Sequence, residues 1–218
     1  MSSLIFSLSE QEIFIATDTL AMNGENFTPF FFTTKVYFLP HLRGVMCGTG
    51  IGDFATDWYL RLDRFLAKDF IHLDEFVTNA LLEVAEKYHF DTEVTSTIYH
   101  FGYSEMEKEH FAFVYRSTND FKSEKLGYGF GVKPPISNSA IELSPQNFVE
   151  IMKLQQIESS QIPIEKRIFI GGEILLTVLR QGTIVSQTIY RFDDYEELYN
   201  EMCLNLPQNQ KFKELLSK

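Results

Sequence analysis

The first eighteen residues constrain the fold most. Leu4, Phe6 and Leu8 alternate with Ser3, Ile5, Ser7 and Ser9, the two-residue period of a strand. Glu10-Gln11-Glu12 breaks the pattern, and Ile13-Phe-Ile-Ala-Thr-Asp18 returns as a nearly continuous apolar run, which reads as a more deeply buried strand. The predicted element is a β-hairpin with almost no overhang, whereas most domains leave their first residues loose. Ser2 then stands at the lip of a core strand behind Met1. Asp18 closes the second strand, and Lys35 lies in the next apolar stretch, Thr33-Thr-Lys-Val-Tyr-Phe-Leu39.

Residues 19–32 read as a connection, with turn signals at Asn23-Gly24 and Thr28-Pro29. Two strands are expected over Lys35–Leu39 and Arg43–Cys47, joined at Pro40-His41. Gly48-Thr-Gly-Ile-Gly52 leads into a helix over about Asp53–Ala67, with Phe54, Trp58, Leu62 and Phe65 along one face. A second helix is expected from Asp74, as N-cap, to Tyr88, with Val77, Ala80, Leu81 and Val84 in its stripe. Strands follow near Thr95–Tyr103 and His110–Arg116, across the charged turn Glu105–Glu109. Leu126-Gly-Tyr-Gly-Phe-Gly-Val132 alternates glycine with larger residues. Ser144-Pro145 has the order of cap then proline that opens a helix, and Phe148, Ile151, Met152 and Gln155 share its face. Gln181-Gly182 divides two long strands, Ile168–Arg180 and Thr183–Phe192, and a last helix covers about Asp194–Leu206. Grouped strands and grouped helices predict an α+β fold, with two antiparallel sheets face to face and helices outside, in one domain over 1–218.

The formal net charge is −11, which argues against general binding to nucleic acid or an anionic membrane, since both need a basic face. No signal-peptide pattern follows Ser2, and no apolar stretch approaches the roughly 20 residues of a membrane helix; a cytoplasmic location is expected. Cys47 and Cys203 lack metal spacing and read as free thiols. His41, His72, His89, His100 and His110 show no ligand spacing, so no cofactor or metal is indicated.

The order of elements resembles the proteasome-type peptidases of the N-terminal nucleophile (Ntn) hydrolase superfamily, over most of the chain and best in residues 2–67. The matching motifs are Ala16-Thr-Asp18, Lys35-Val36, the glycine turn Cys47-Gly-Thr-Gly50, and Ile170-Gly-Gly-Glu-Ile174. With Ser2 placed on the nucleophile, the separation to Asp18 is that of the family, and Lys35 needs about one extra loop residue. The resemblance implies a four-layer αββα sandwich and amide-bond hydrolysis, on peptides. It implies Ser2 as nucleophile with its own α-amine as base, Lys35 as tuner of that amine, Asp18 as holder of Lys35, and the Gly48 N–H as oxyanion donor. A homo-oligomer is implied as well.

The chemistry suits those residue types. An α-amine has a reference pKa of about 7.7–8.0, near the pH at which a general base works best, and a serine hydroxyl needs such a base to become a nucleophile. Three positions depart from the family pattern. Arg167 and Ile170 stand where active members carry a supporting Asp and Ser, and Phe130 stands where the serine of a Gly-Ser-Gly is expected. These departures favour a second reading, a non-catalytic protein of proteasome fold that self-assembles or binds a partner. Simpler roles for each residue also stand: Ser2 as a strand residue, Asp18 and Lys35 as a structural ion pair, Gly48 as a turn glycine.

Overall fold

A computed structural model of the chain describes residues 3–24, 26–137 and 141–205. The predicted hairpin forms β1 (Leu4–Leu8) and β2 (Ile13–Asp18), paired with Leu4 opposite Thr17. Residues 19–32, expected as a connection only, hold a small ribbon of β3 (Leu20–Met22) and β4 (Pro29–Phe32). The aromatic run Phe30-Phe31-Phe32 supplies its second strand, and Phe32 stacks on Tyr195 at 4.6 Å. β5 (Val36–Leu39) and β6 (Gly44–Thr49) flank a 3-10 turn at Pro40–Leu42.

Helix α1 spans Gly52–Leu62 and stops short of the predicted Ala67. Its face of Phe54, Trp58 and Leu62 is fully buried. Helix α2 runs Phe70–Ala85, so the N-cap expected at Asp74 is wrong: Asp69 caps the helix, accepting from the His72 N–H at 2.9 Å. Asp74 lies one turn inside, where its carboxylate accepts from the Tyr115 hydroxyl and the Ser123 Oγ, each at 2.5 Å. Both aspartates precede apolar residues at helical spacing, and tertiary partners decided between them.

β7 (Thr97–Ser104), β8 (Glu109–Arg116) and the short β9 (Glu124–Leu126) come next, followed by β10 (Gly129–Lys133). The alternating glycine segment is thereby split between two sheets. A 3-10 turn at Pro145–Asn147 opens α3 (Phe148–Ser160). β11 (Glu173–Arg180) begins later than the predicted Ile168, because residues 168–172 carry side-chain and turn contacts instead. β12 (Thr183–Arg191) and α4 (Tyr195–Asn205) complete the described chain.

The fold is mixed α+β, with antiparallel sheets throughout. One five-stranded sheet has the order β10-β1-β2-β11-β12, and the other β5-β6-β7-β8-β9. Three apolar clusters hold the elements. One joins the two sheets, through Leu4, Phe6, Ile13 and Ile15 from the first and Val45, Cys47, Phe101 and Val114 from the second. Another packs α1 and α2 on the second sheet, around Phe54, Trp58, Leu81 and Phe111. The third packs α3 on the first sheet, through Ile5, Ala16, Phe148 and Met152. Each strand of the sheet centre therefore feeds two clusters by simple alternation. Among the described residues no helix is long and apolar enough to cross a membrane, and Cys47 and Cys203 are free thiols, buried and exposed respectively.

Candidate functional site

Asp18 ends β2 with no exposed surface, and Lys35, at 8 % exposure, immediately precedes β5. A carboxylate buried this deeply is costly without compensation, and Asp18 has it on both oxygens. Oδ1 accepts from the Lys35 Nζ at 2.7 Å and from the Ser3 backbone N–H at 3.0 Å, while Oδ2 accepts from the Gly171 N–H at 3.3 Å. Lys35 also donates to the Leu20 carbonyl at 2.8 Å. Two of the three ammonium N–H groups are thus engaged by described residues. Burial pushes the Lys35 pKa below its ordinary value, and the charge and hydrogen bond of Asp18 oppose that shift.

Gly48 lies in β6. Val36 pairs with Cys47, so continuing that register by one residue sets Lys35 across from Gly48. A Cβ on Gly48 would stand 2.4 Å from the Cβ of Ala55 in α1, well inside van der Waals contact. Glycine is required here by the close approach of helix and strand, whatever else its N–H does. Gly50 adopts φ +108°, a left-handed conformation open to glycine, in the turn that reverses the chain into α1.

Of the four sequence-predicted site residues, Asp18 and Lys35 are brought into direct contact, and Gly48 is aligned with Lys35 by strand register. Ser2 lies outside the described residues. Its neighbour Ser3 is fully buried, with its N–H on Asp18 and its Oγ donating to the Gln155 Oε1 at 2.6 Å. Gln155 in turn donates to the Pro134 carbonyl at 2.5 Å. Gln155 reads in sequence as one residue of an apolar helix face; its burial at the Ser3 hydroxyl was not legible there, because 152 residues separate the pair.

The departures from the family pattern also have definite places. Ile170 is buried in the cluster under α3, with its carbonyl accepting from Gln156. Arg167 is turned to the Ser160 and Ile162 carbonyls and lies over the Phe169 ring. Phe130 is 42 % exposed on β10. No protein-family model matches the chain, and no curated protein matches it.

Proposed function

We propose that the protein is a proteasome-like N-terminal serine hydrolase that cleaves an amide bond, in peptides, through an acyl-enzyme on Ser2. The observation that carries the reading is the buried Lys35–Asp18 pair at 2.7 Å, with the same Asp18 oxygen holding the N–H of Ser3. The Ser3 N–H and the lysine ammonium thus share one carboxylate oxygen. In this reading the two sheets and the helices over them are the four-layer αββα sandwich of the Ntn hydrolases, and copies of the chain assemble into a homo-oligomer.

Removal of Met1 leaves the α-amine on Ser2. The amine takes the Ser2 hydroxyl proton as Oγ attacks the carbonyl carbon, and the third Lys35 N–H favours the neutral, basic form of that amine. The Gly48 N–H stabilises the oxyanion. The ammonium returns its proton to the leaving nitrogen, the C–N bond breaks, and an ester on Ser2 remains. Water, deprotonated by the same amine, hydrolyses the ester and regenerates Ser2.

Intact mass of untagged protein, before and after an electrophile that captures N-terminal hydroxyl nucleophiles, tests this. The expected result is a mass lacking Met1 and one adduct that is absent in Ser2→Ala. Retained Met1, or a free Ser2 that never labels, overturns it. A second reading, a non-catalytic assembly protein of the same fold, is favoured by one observation. Ile170, which the resemblance aligns with a hydroxyl residue of active members, is buried among apolar side chains. Unlabelled Ser2 in a stable oligomer is its expected signature.

A further inference from the structure

At one end of the two facing sheets, rows that carry polar residues oppose each other. In the first sheet Lys133 pairs with Leu4, and Leu4 with Thr17. In the second, Thr97 pairs with Thr49 and with Arg116. Directly opposed residues share a sheet face. Leu4 belongs to the cluster between the sheets, as do Cys47, Tyr99 and Val114, two residues along from Thr49, Thr97 and Arg116. Both rows therefore face the inter-sheet space, and the Lys133 Nζ crosses it to donate to the Thr97 Oγ1 at 2.8 Å.

A cleft of about 240 Å³ opens beside this bond, with apolar walls that include Phe6, Tyr99, Leu126 and Phe130. Among the described residues, its charged lining residues are Lys133 and Arg116. Arg116 is held by Glu124 at 2.5 Å, an acid outside the lining. Lys133 has no carboxylate at ion-pair distance among the described residues, and its neighbour charge is the Arg116 guanidinium. Two cations converge on an apolar slot in a chain of net charge −11. Behind them, Thr17 and Thr49 carry buried hydroxyls with no partner among the described residues. Buried polar groups are rarely left in that state, so each row holds a hydroxyl without a partner among the described residues, set back from the cleft lining.

We propose that this cleft binds a small organic carboxylate, its anion between Lys133 and Arg116 and its apolar or aromatic body between Phe6, Tyr99 and Phe130. The volume is below the roughly 300–1,000 Å³ of sites for drug-sized molecules, which fits one ring with a short acid arm. The apolar walls select against inorganic phosphate, which has no surface to bury there. The site stands whether or not Ser2 is a nucleophile. It is also pH-dependent. Burial, with Arg116 adding to it, lowers the Lys133 pKa to about 8. Tyr99 on the cleft wall is held protonated by burial above its ordinary pKa, so the charge lost between pH 7 and 9 is that of Lys133.

Phenylacetate titrated into the full chain at pH 6.5, followed by amide chemical shifts, tests the proposal, with benzyl alcohol and inorganic phosphate in parallel. Expected are saturable shifts at Tyr99, Phe130 and Lys133, at least tenfold weaker binding of benzyl alcohol and phosphate, and a weakening of phenylacetate binding as pH rises from 7 to 9. Lys133→Met lowers the affinity at least tenfold. Arg116→Gln lowers it too, and serves with the wild-type shift map if the first variant does not fold. No saturable binding of phenylacetate, equal binding of benzyl alcohol or phosphate, or full affinity in a folded Lys133→Met overturns it.

Discussion

Asp18 accepts three hydrogen bonds, from a side chain and two backbone N–H groups, while exposing no surface. Removing one member of such a pair strands a buried charge, at a typical cost of about 3–5 kcal/mol, whereas removing both leaves none behind. Lys35→Met is therefore expected to destabilise by about 3–5 kcal/mol, and Lys35→Met with Asp18→Asn by less than the sum of the singles. Urea unfolding of the four members of the cycle measures this; additive losses would show that the two side chains do not interact. Asp18 and Lys35 were legible because Asp18 closes the hairpin, Lys35 opens the next apolar run, and the two match the motif order of the resemblance. The other partners of the site were hidden for a physical reason. Gly171 reaches Asp18 through its backbone N–H, Leu20 reaches Lys35 through its carbonyl, and a backbone group leaves no trace in residue type.

Between β6 and α1 the spacing is set by Gly48 facing Ala55, where an added Cβ would lie 2.4 Å from the Ala55 Cβ. Gly48→Ala is expected to cost about 1–3 kcal/mol, the usual range for overpacking, and Ala55→Gly in the same chain to recover part of it, less the roughly 1 kcal/mol of helix propensity it gives up. Thermal melts of wild type and the two variants check this, and a Gly48→Ala protein as stable as wild type would show that helix and strand separate freely. Elements with a strong period were readable: the hairpin, both long strands around Gln181-Gly182, and the apolar faces of α1 and α3. Their ends were not. Helix α2 begins at Phe70, capped by Asp69, while Asp74 is engaged by Tyr115 and Ser123, and no local pattern announces a partner so distant in sequence. The ribbon β3–β4 escaped notice because strands of three and four residues are too short to show a period.

Acid stability belongs to the whole molecule, since His100 on β7 lies between the second sheet and both helices packed on it. It is fully buried, accepts from the Trp58 Nε1 at 3.0 Å and stacks on Phe70 at 4.4 Å. Burial lowers its pKa from 6.5 to about 3. The unfolded chain then binds the proton first, so the stability due to neutral His100 is complete above pH 6.5 and is lost as pH falls towards 3. The loss amounts to roughly 3–5 kcal/mol for a shift of this size. His100→Gln is expected to flatten the slope of unfolding free energy between pH 6.5 and 4, and an unchanged slope would assign acid sensitivity elsewhere. The α+β class and the pairing of sheets with helices were legible at this scale from the grouping of strands and helices. The cleft beside Lys133 was not, since it forms only where β10 meets the row of Thr97 and Arg116. One further consequence lies in the order of the first sheet, where β2 is flanked by β1 and by β11. Ala16 pairs with Leu176, 160 positions later. At ribosomal speeds of about 5–20 residues per second, the hairpin leaves the ribosome roughly ten to thirty seconds before its second neighbour exists. For that interval a nearly continuous apolar strand stands with one edge open, and a nascent chain in that condition is a client for chaperones until the last hairpin closes over it.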